Sequence, residues 1–398
     1  MNNLKTRDSN LELLRIICII SIIAGHFVES SGVASYDTLT LSFFFSFFGS
    51  LVRVSCSVFI ILSSWFLVDQ KFKVSRLFSA WLTVVSYTTF FMLYGKLSGT
   101  INYDKSSVLG VFLPIEQNTL WFAGCYIILV SISPILNRLV YAENDTLLKL
   151  ILILYTIFMV IYSTVTEQEG FFTGEIWTFI YLYLIVGYIK RYGIEMSFKT
   201  SVSVFLILWI GLSLARGIGA YLFYISDSGI VKIAQSYLWF YYLRIQSLPN
   251  LLLAFSLFFT FLNIPAFHSK IINTVSGTTL GIYCFHECPG WKEYLWYNLF
   301  KTQEFGMSAQ SELSRIGYSI FCVLMVLLLG VVIELIRARV LKIAIEDRNW
   351  YKSFNKKIDD WVNGTVEISN KQLATFVAKI SVAFALYCLL IKVIVLFV

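Results

Sequence analysis

Leu11-Glu12-Leu13-Leu14-Arg15-Ile16-Ile17-Cys18-Ile19-Ile20-Ser21-Ile22-Ile23-Ala24-Gly25-His26-Phe27-Val28-Glu29-Ser30 decides how the chain is read. The run has about the 20 largely apolar residues that a bilayer-spanning helix needs, yet it carries Glu12, Arg15 and His26. An ionisable side chain inside a bilayer costs several kcal/mol, so each of the three requires a protein-lined cavity or a functional reason. The segment before the run, Met1 to Asn10, is polar and holds Lys5, Arg7 and Asp8, with no small-residue cleavage pattern behind it. A retained first helix is therefore predicted rather than a signal peptide. At 100° per residue, Arg15 and His26 fall about 20° past three whole turns and about 16 Å apart along the axis, on one face at different depths. Glu12, three positions before Arg15, lies close enough for an ion pair. Two readings stay open for this pattern alone. Either Arg15 snorkels to the headgroups and His26 bonds a neighbouring helix, or an anion-holding arginine and a deeper histidine line a polar cavity.

The remaining chain repeats the apolar theme. Its 398 residues are 58% hydrophobic, 17% aromatic and only 14% charged, with a mean hydropathy of +0.74, against about 45–50% apolar and 25% charged for soluble domains. That balance excludes a water-soluble globule, and so much apolar surface excludes a disordered chain. About eleven apolar stretches are predicted to span, near residues 11–30, 42–68, 76–95, 119–140, 148–165, 174–189, 203–224, 245–262, 271–287, 315–336 and 376–398. The expected fold is all-α, a polytopic helical membrane protein with about 10 to 11 transmembrane helices. It divides into a membrane domain over residues 1–340, an amphipathic segment over 341–375 and an additional C-terminal helix over 376–398.

Charge gives the orientation. With the N-terminus inside, the inner segments hold 20 Lys and Arg and the outer ones 8, which by the positive-inside rule puts the N-terminus in the cytoplasm. The formal net charge of +7 thus calls for no nucleic acid. Trp65, Trp81, Trp121 and Trp177 are among the aromatic residues near span ends, as expected of interfacial anchors. Trp350, Tyr351, Phe354 and Trp361 interleaved with both signs of charge suit a helix on the inner membrane surface. Neither an internal repeat nor the paired half-repeats of many transporters is visible.

The seven cysteines form no CxxC pair and read as small buried hydrophobes. Cys284, His286 and Cys288 lack a further ligand pair at zinc-type spacing, so no metal is expected. Glu167, Glu169 and Glu175 read as a solvated outer loop, His268 as exposed, and Arg53 as an intramembrane charge whose partner the sequence does not name.

Further landmarks follow the first span in order. Phe59-Ile60-Ile61-Leu62-Ser63-Ser64-Trp65-Phe66 precedes Lys71, Lys73 and Arg76; Trp121-Phe122 precedes Pro134-Ile135-Leu136-Asn137; and Ser276-Gly277-Thr278-Thr279-Leu280-Gly281-Ile282-Tyr283-Cys284-Phe285-His286 comes late. Together with Glu-x-x-Arg-x10-His at Glu12, Arg15 and His26, they make the chain resemble the integral-membrane acyltransferase 3 family over about residues 10–340. Those bacterial enzymes move acyl groups, usually acetyl, onto sugars of surface polysaccharides. Ser64-Trp65 stands where the family has Ser-Gly, Lys73 and Arg76 where it has paired arginines, and Ala123 where it has leucine.

The resemblance implies an acyl-CoA-dependent O-acyltransferase of the bacterial plasma (inner) membrane. Its acceptor is a hydroxyl of a surface glycan or of a lipid-linked sugar precursor. Acyl transfer needs a base or nucleophile and donors for the oxyanion; His26 is the expected catalytic residue. Acyl-CoA, a donor substrate rather than a resident cofactor, carries phosphates suited to Arg15, Lys73 and Arg76. Glu12, Ser63, Trp121, Tyr283 and His286 are expected to support the site or line the substrate cavity. The competing class is a glycan or glycolipid transporter or flippase.

Overall fold

The computed structural model describes residues 8–101, 105–113, 120–166, 173–226, 228–308, 310–364 and 369–396. Lys5, Arg7, Glu167 and Glu169 lie outside them. The described residues form helices and no strand: α1 (Ser9–Ser30), α2 (Leu39–Phe48), α3 (Val52–Leu67), α4 (Val74–Ser98), α5 (Lys105–Phe112), α6 (Trp121–Val140), α7 (Thr146–Tyr155), α8 (Tyr162–Thr166), α9 (Glu175–Tyr192), α10 (Phe198–Ile225), α11 (Gly229–Leu243), α12 (Leu248–Leu262), α13 (Lys270–Ser276), α14 (Thr279–Glu287), α15 (Trp291–Glu293), α16 (Thr302–Met307), α17 (Glu312–Leu341), α18 (Asn349–Val362) and α19 (Asn370–Leu396). With no water in a bilayer to satisfy free backbone groups, such apolar runs close their hydrogen bonds internally as helices.

Among the described residues, seven helical segments are long and apolar enough to cross a membrane: Ser9–Ser30, Leu39–Leu67, Val74–Ser98, Trp121–Val140, Thr146–Thr166, Phe198–Ile225 and Glu312–Glu346. The protein is an all-α polytopic membrane protein. Other predicted spans depart from the simple pattern for local reasons. Glu175–Tyr192 carries Glu175, Lys190 and Arg191 at its ends, and Leu248–Leu262 is a shorter apolar helix.

Two predicted single spans are broken. Residues 42–68 divide into α2 and α3 around Gly49–Leu51, where the Ser50 hydroxyl donates to the Phe47 carbonyl (2.8 Å) and accepts from the Trp209 indole (2.7 Å). Residues 271–287 divide into α13 and α14 at Gly277 and Thr278, and the Thr278 hydroxyl donates to the Val275 carbonyl (2.7 Å). In both breaks a hydroxyl takes up polar atoms of the interrupted ladder, which keeps the breaks tolerable within an apolar bundle.

The middle of the bundle is α1, packed against α3, α12, α13, α14 and α17. Small residues set two of the closest approaches. A Cβ added at Gly25 would sit 2.4 Å from the Val52 Cβ, so only glycine lets α1 meet the start of α3. A Cβ added at Gly281 would sit 2.1 Å from Glu334 Oε2, so Gly281 leaves room on α14 for an acid of α17. Helix α4 packs against α6, α14 and α18. Between α1, α3, α6 and α14 the packing leaves a cavity.

Candidate functional site

The helical spacing of the first span fixes the site's axis. Arg15 and His26 both line a cavity of about 170 Å³, together with Ile19 and Ile22 from the same face of α1. Helix α3 adds Cys56, Phe59 and Ser63; α6 adds Trp121, Phe122 and Tyr126; α14 adds Thr279, Leu280 and Tyr283. The wall is mostly apolar and aromatic, with few polar groups, which is the composition of a small-molecule site. Arg15 and His26 both line this cavity, and His26 also meets a neighbouring helix.

At one end of this cavity His26 meets two acid–base groups from the end of α14. His26 Nδ1 lies 3.0 Å from His286 Nε2 and 3.3 Å from Glu287 Oε1. His286 is fully buried, and its Nδ1 lies 2.6 Å from the carbonyl of Ile282, one turn earlier. A carbonyl only accepts, so His286 Nδ1 carries the proton and its Nε2 is an acceptor. His26 Nδ1 is then the donor, which leaves His26 Nε2 unprotonated. This tautomer follows from the hydrogen-bond network. Glu287 Oε1 sits at ion-pair distance from the same Nδ1, and Glu287 Oε2 lies 3.7 Å from Lys292 Nζ. A positive charge arising on His26 thus has a carboxylate beside it.

At the other end Arg15 is paired with Glu12, 3.3 Å between Nη1 and Oε2, with Glu12 buried. Its guanidinium also lies over the Phe66 ring at 5.6 Å. Arg15, Tyr126, Thr279 and Leu280 line not only the cavity but also an open basin of about 950 Å³. The basin holds Lys73 and Arg76 at the start of α4, and Arg337 from α17. Arg337 is held by Glu334 through two 2.6 Å bonds, and Glu334 also accepts from the Tyr87 hydroxyl at 3.0 Å. Arg76 donates to Gln70, a neutral partner. Cavity and basin adjoin at the four residues they share, with Lys73 and Arg76 on the basin side and His26 on the cavity side.

The structure therefore separates the predicted site residues into groups. His26, Arg15, Ser63, Trp121 and Tyr283 line the cavity; Lys73 and Arg76 line the basin and not the cavity. Glu12 reaches the site only through Arg15. Of the residues expected to support the site or line the cavity, His286 does not line it: it is buried behind His26, its ring nitrogens facing His26 Nδ1 and the Ile282 carbonyl. Trp121, open between membrane anchor and cavity wall, is a wall. It also supplies the missing partner of Arg53, whose guanidinium lies 5.6 Å from its ring centroid. Arg216 is buried within α10. His268 is exposed, 3.4 Å from the Asn273 amide.

Sequence reasoning passed over Glu287 and Glu334. Both are acids in or beside apolar runs, so the rule applied to Glu12, Arg15 and His26 would have flagged them. His26, His286 and Glu287 form the one group among the described residues with metal-ligating atoms close together, within 4.8 Å. A hydrogen bond between His26 Nδ1 and His286 Nε2 also accounts for that approach.

Similarity to known proteins agrees with this geometry. No curated protein and no solved structure is matched by the chain. A family model described as an acyltransferase domain matches residues 8–335, which take in Glu12, Arg15, His26, the whole cavity and the start of α4. A bundle organised around a histidine at the inner end of a polar-mouthed cavity, matched over most of its length by that model, places the chain in the acyltransferase 3 family of membrane acyltransferases.

Proposed function

We propose that the protein transfers an acetyl or other short acyl group from acyl-CoA to a hydroxyl of a cell-surface polysaccharide or its lipid-linked precursor. The bacterial plasma membrane is the proposed site, with the N-terminus and the basic basin in the cytoplasm, where acyl-CoA is found. One observation carries this reading: the basin and the cavity share Arg15, Tyr126, Thr279 and Leu280, so a polyanionic head group in the first extends a thioester arm into the second. Guanidinium and ammonium groups at Arg15, Lys73 and Arg76 match phosphates by charge and by donor geometry. The apolar cavity walls exclude water that would otherwise hydrolyse the thioester.

In the chemical step the acceptor oxygen attacks the thioester carbonyl and the carbon–sulfur bond breaks. His26 Nε2 takes the hydroxyl proton and returns it to the departing CoA thiolate. The imidazolium formed between these events is stabilised by the carboxylate of Glu287 and oriented by His286, in the way an acid and a hydrogen-bond acceptor orient a general base elsewhere. Ser63 and Tyr283 are hydroxyl donors within the same cavity for the oxyanion.

The test is CoA release from acetyl-CoA by purified protein in nanodiscs, with a crude glycan extract as acceptor and wild type beside His26→Ala. Acceptor-dependent release that disappears in a variant of unchanged membrane insertion supports the reading. Equal release by both removes His26 from the mechanism, and neither release nor CoA binding by wild type returns the weight to a glycan transporter.

A further inference from the structure

The part of the chain that matches the acyltransferase family ends at residue 335, yet the basin is completed by residues beyond it. Helix α18 follows the last long span and is amphipathic. Trp350, Phe354, Ile358 and Trp361 recur at helical spacing, while Lys352 and Lys356 share another face. A helix of this kind commonly lies free on a membrane surface. Here it is fastened to the bundle at the loop that carries Lys73.

The attachment is specific. The Val74 N–H donates to Asp359 Oδ1 at 2.6 Å, the Phe72 N–H donates to Asn363 Oδ1 at 3.0 Å, and Asn363 Nδ2 donates back to the Phe72 carbonyl at 3.0 Å. The Phe78 ring packs against Tyr351 and Phe354, with centroids 6.4 and 5.7 Å apart. Asp359 and Asn363 thus cap the start of α4, where backbone N–H groups would otherwise be left without partners. They hold Lys73 and Arg76 opposite the basin-facing side of α18.

Cations outnumber acids around the basin: Arg15, Lys73, Arg76, Arg337, Lys352 and Lys356 stand against Glu334, Glu346, Asp359 and Asp360. Glu334 is taken up by Arg337 and Tyr87, and Asp359 by the Val74 N–H; Glu346 accepts the Ser79 hydroxyl at 3.5 Å. Lys352 meets Asp347 only at 3.5 Å between well-exposed side chains, a pairing that water largely screens. Lys73 and Lys356 have no ion-pair partner among the described residues. Asn355, one turn before Asp359, is 7% exposed and lines the basin, and its Oδ1 has no hydrogen-bond partner in the protein. A buried amide oxygen without a partner, on a residue that lines the basin, is one that a side-chain rotation would offer to a ligand donor.

The geometry points to α18 as the second wall of the donor site: Lys352 and Lys356 bind the phosphates of the nucleotide head of acyl-CoA, and Asn355 hydrogen-bonds its polar edge. This deepens the donor reading and rests on it. Lysines 352 and 356 touch no acyl group, so they govern affinity for the head group and leave the chemistry at His26 alone.

The experiment uses the full-length protein in nanodiscs and two probes, CoA and pantetheine, which keeps the thiol arm and lacks the nucleotide. Lys352→Ala/Lys356→Ala is compared with wild type and with Lys357→Ala, an exposed lysine of the same helix outside the basin. The double variant is expected to bind CoA about tenfold more weakly or worse, the loss of charge-assisted contacts, with a matching rise in KM for acetyl-CoA and unchanged kcat. Pantetheine binding and the Lys357→Ala variant stay as wild type, and Lys352→Arg/Lys356→Arg restores affinity. CoA binding by the double variant equal to wild type overturns the assignment of α18 while leaving the donor reading intact. A wild-type protein that binds no CoA overturns the donor reading itself.

Discussion

The enclosed cavity around His26 and the open basin beside Lys73 share a boundary but are built in opposite ways. The cavity is about 170 Å³, mostly apolar, and places one face of α1 against aromatic residues of α3, α6 and α14. The basin is about 950 Å³, mostly polar and charged, and gathers its wall from α4, α17, α18 and the ends of α1, α6 and α14. Inside the cavity an unpaired charge is expensive, so each ionisable group there has a fixed partner: Arg15 has Glu12, and His26 has His286 and Glu287. In the basin water screens the charges, and Lys73 and Lys356 have no ion-pair partner among the described residues. The difference teaches that the cavity holds geometry and the basin holds attraction, so substitutions in the two should separate into effects on rate and effects on affinity.

The sharpest way to break that division is His26→Ala. Loss of a positioned general base lowers turnover by about 10²–10⁴-fold, and CoA binding measured on the same preparation should stay as wild type. A variant that lost affinity rather than rate would merge the two regions. Next in size is Glu287→Gln. It keeps the shape and removes the charge beside His26, and kcat is expected to fall by about 10–100-fold. KM for acetyl-CoA should not move. A pH–rate profile unchanged in this variant would reduce Glu287 to a structural neighbour.

Arg76→Ala probes the other side. Its partner in the protein is the neutral Gln70, so its removal leaves no acid stranded, and KM for acetyl-CoA should rise about tenfold at constant kcat. Arg15→Ala is expected to mix both effects, because it also leaves the buried Glu12 without its counter-charge; thermal melting in detergent should show a loss of stability that Arg76→Ala does not. Gly25→Ala tests how tightly the cavity is framed. Overpacking against Val52 costs about 1–3 kcal/mol, read as a lower melting temperature, with a drop in kcat as the neighbouring His26 is displaced. The smallest effect expected is none: a strong metal chelator should leave turnover unchanged, whereas loss of activity restored by a divalent metal would make His26, His286 and Glu287 a ligand set.

Much of the first region was legible. The eleven-residue step from Arg15 to His26 needs only helical geometry, and it put both residues on the face where the cavity lies. Glu12 and Arg15 pair as their spacing implies. The breaks at Gly49 and Gly277 were not legible as breaks, because hydropathy averages over a window and passes through a short interruption whose polar atoms are satisfied by Ser50 and Thr278. Helix α18 was read as amphipathic and surface-bound, with nothing to show that Asp359 and Asn363 fasten it to α4.

By itself the sequence determined a membrane-spanning helical bundle, the family to which it belongs, and a line of ionisable residues along its first helix. These are local properties: composition sets the solvent, and the 3.6-residue turn sets which residues share a face. Only the tertiary structure decided that His286 and Glu287 stand behind His26 and that the cavity adjoins the basin that holds Arg76. It also decided that residues beyond the family match close the basin. Those relations link positions up to hundreds of residues apart, and they are set by how helices pack, which no local pattern encodes.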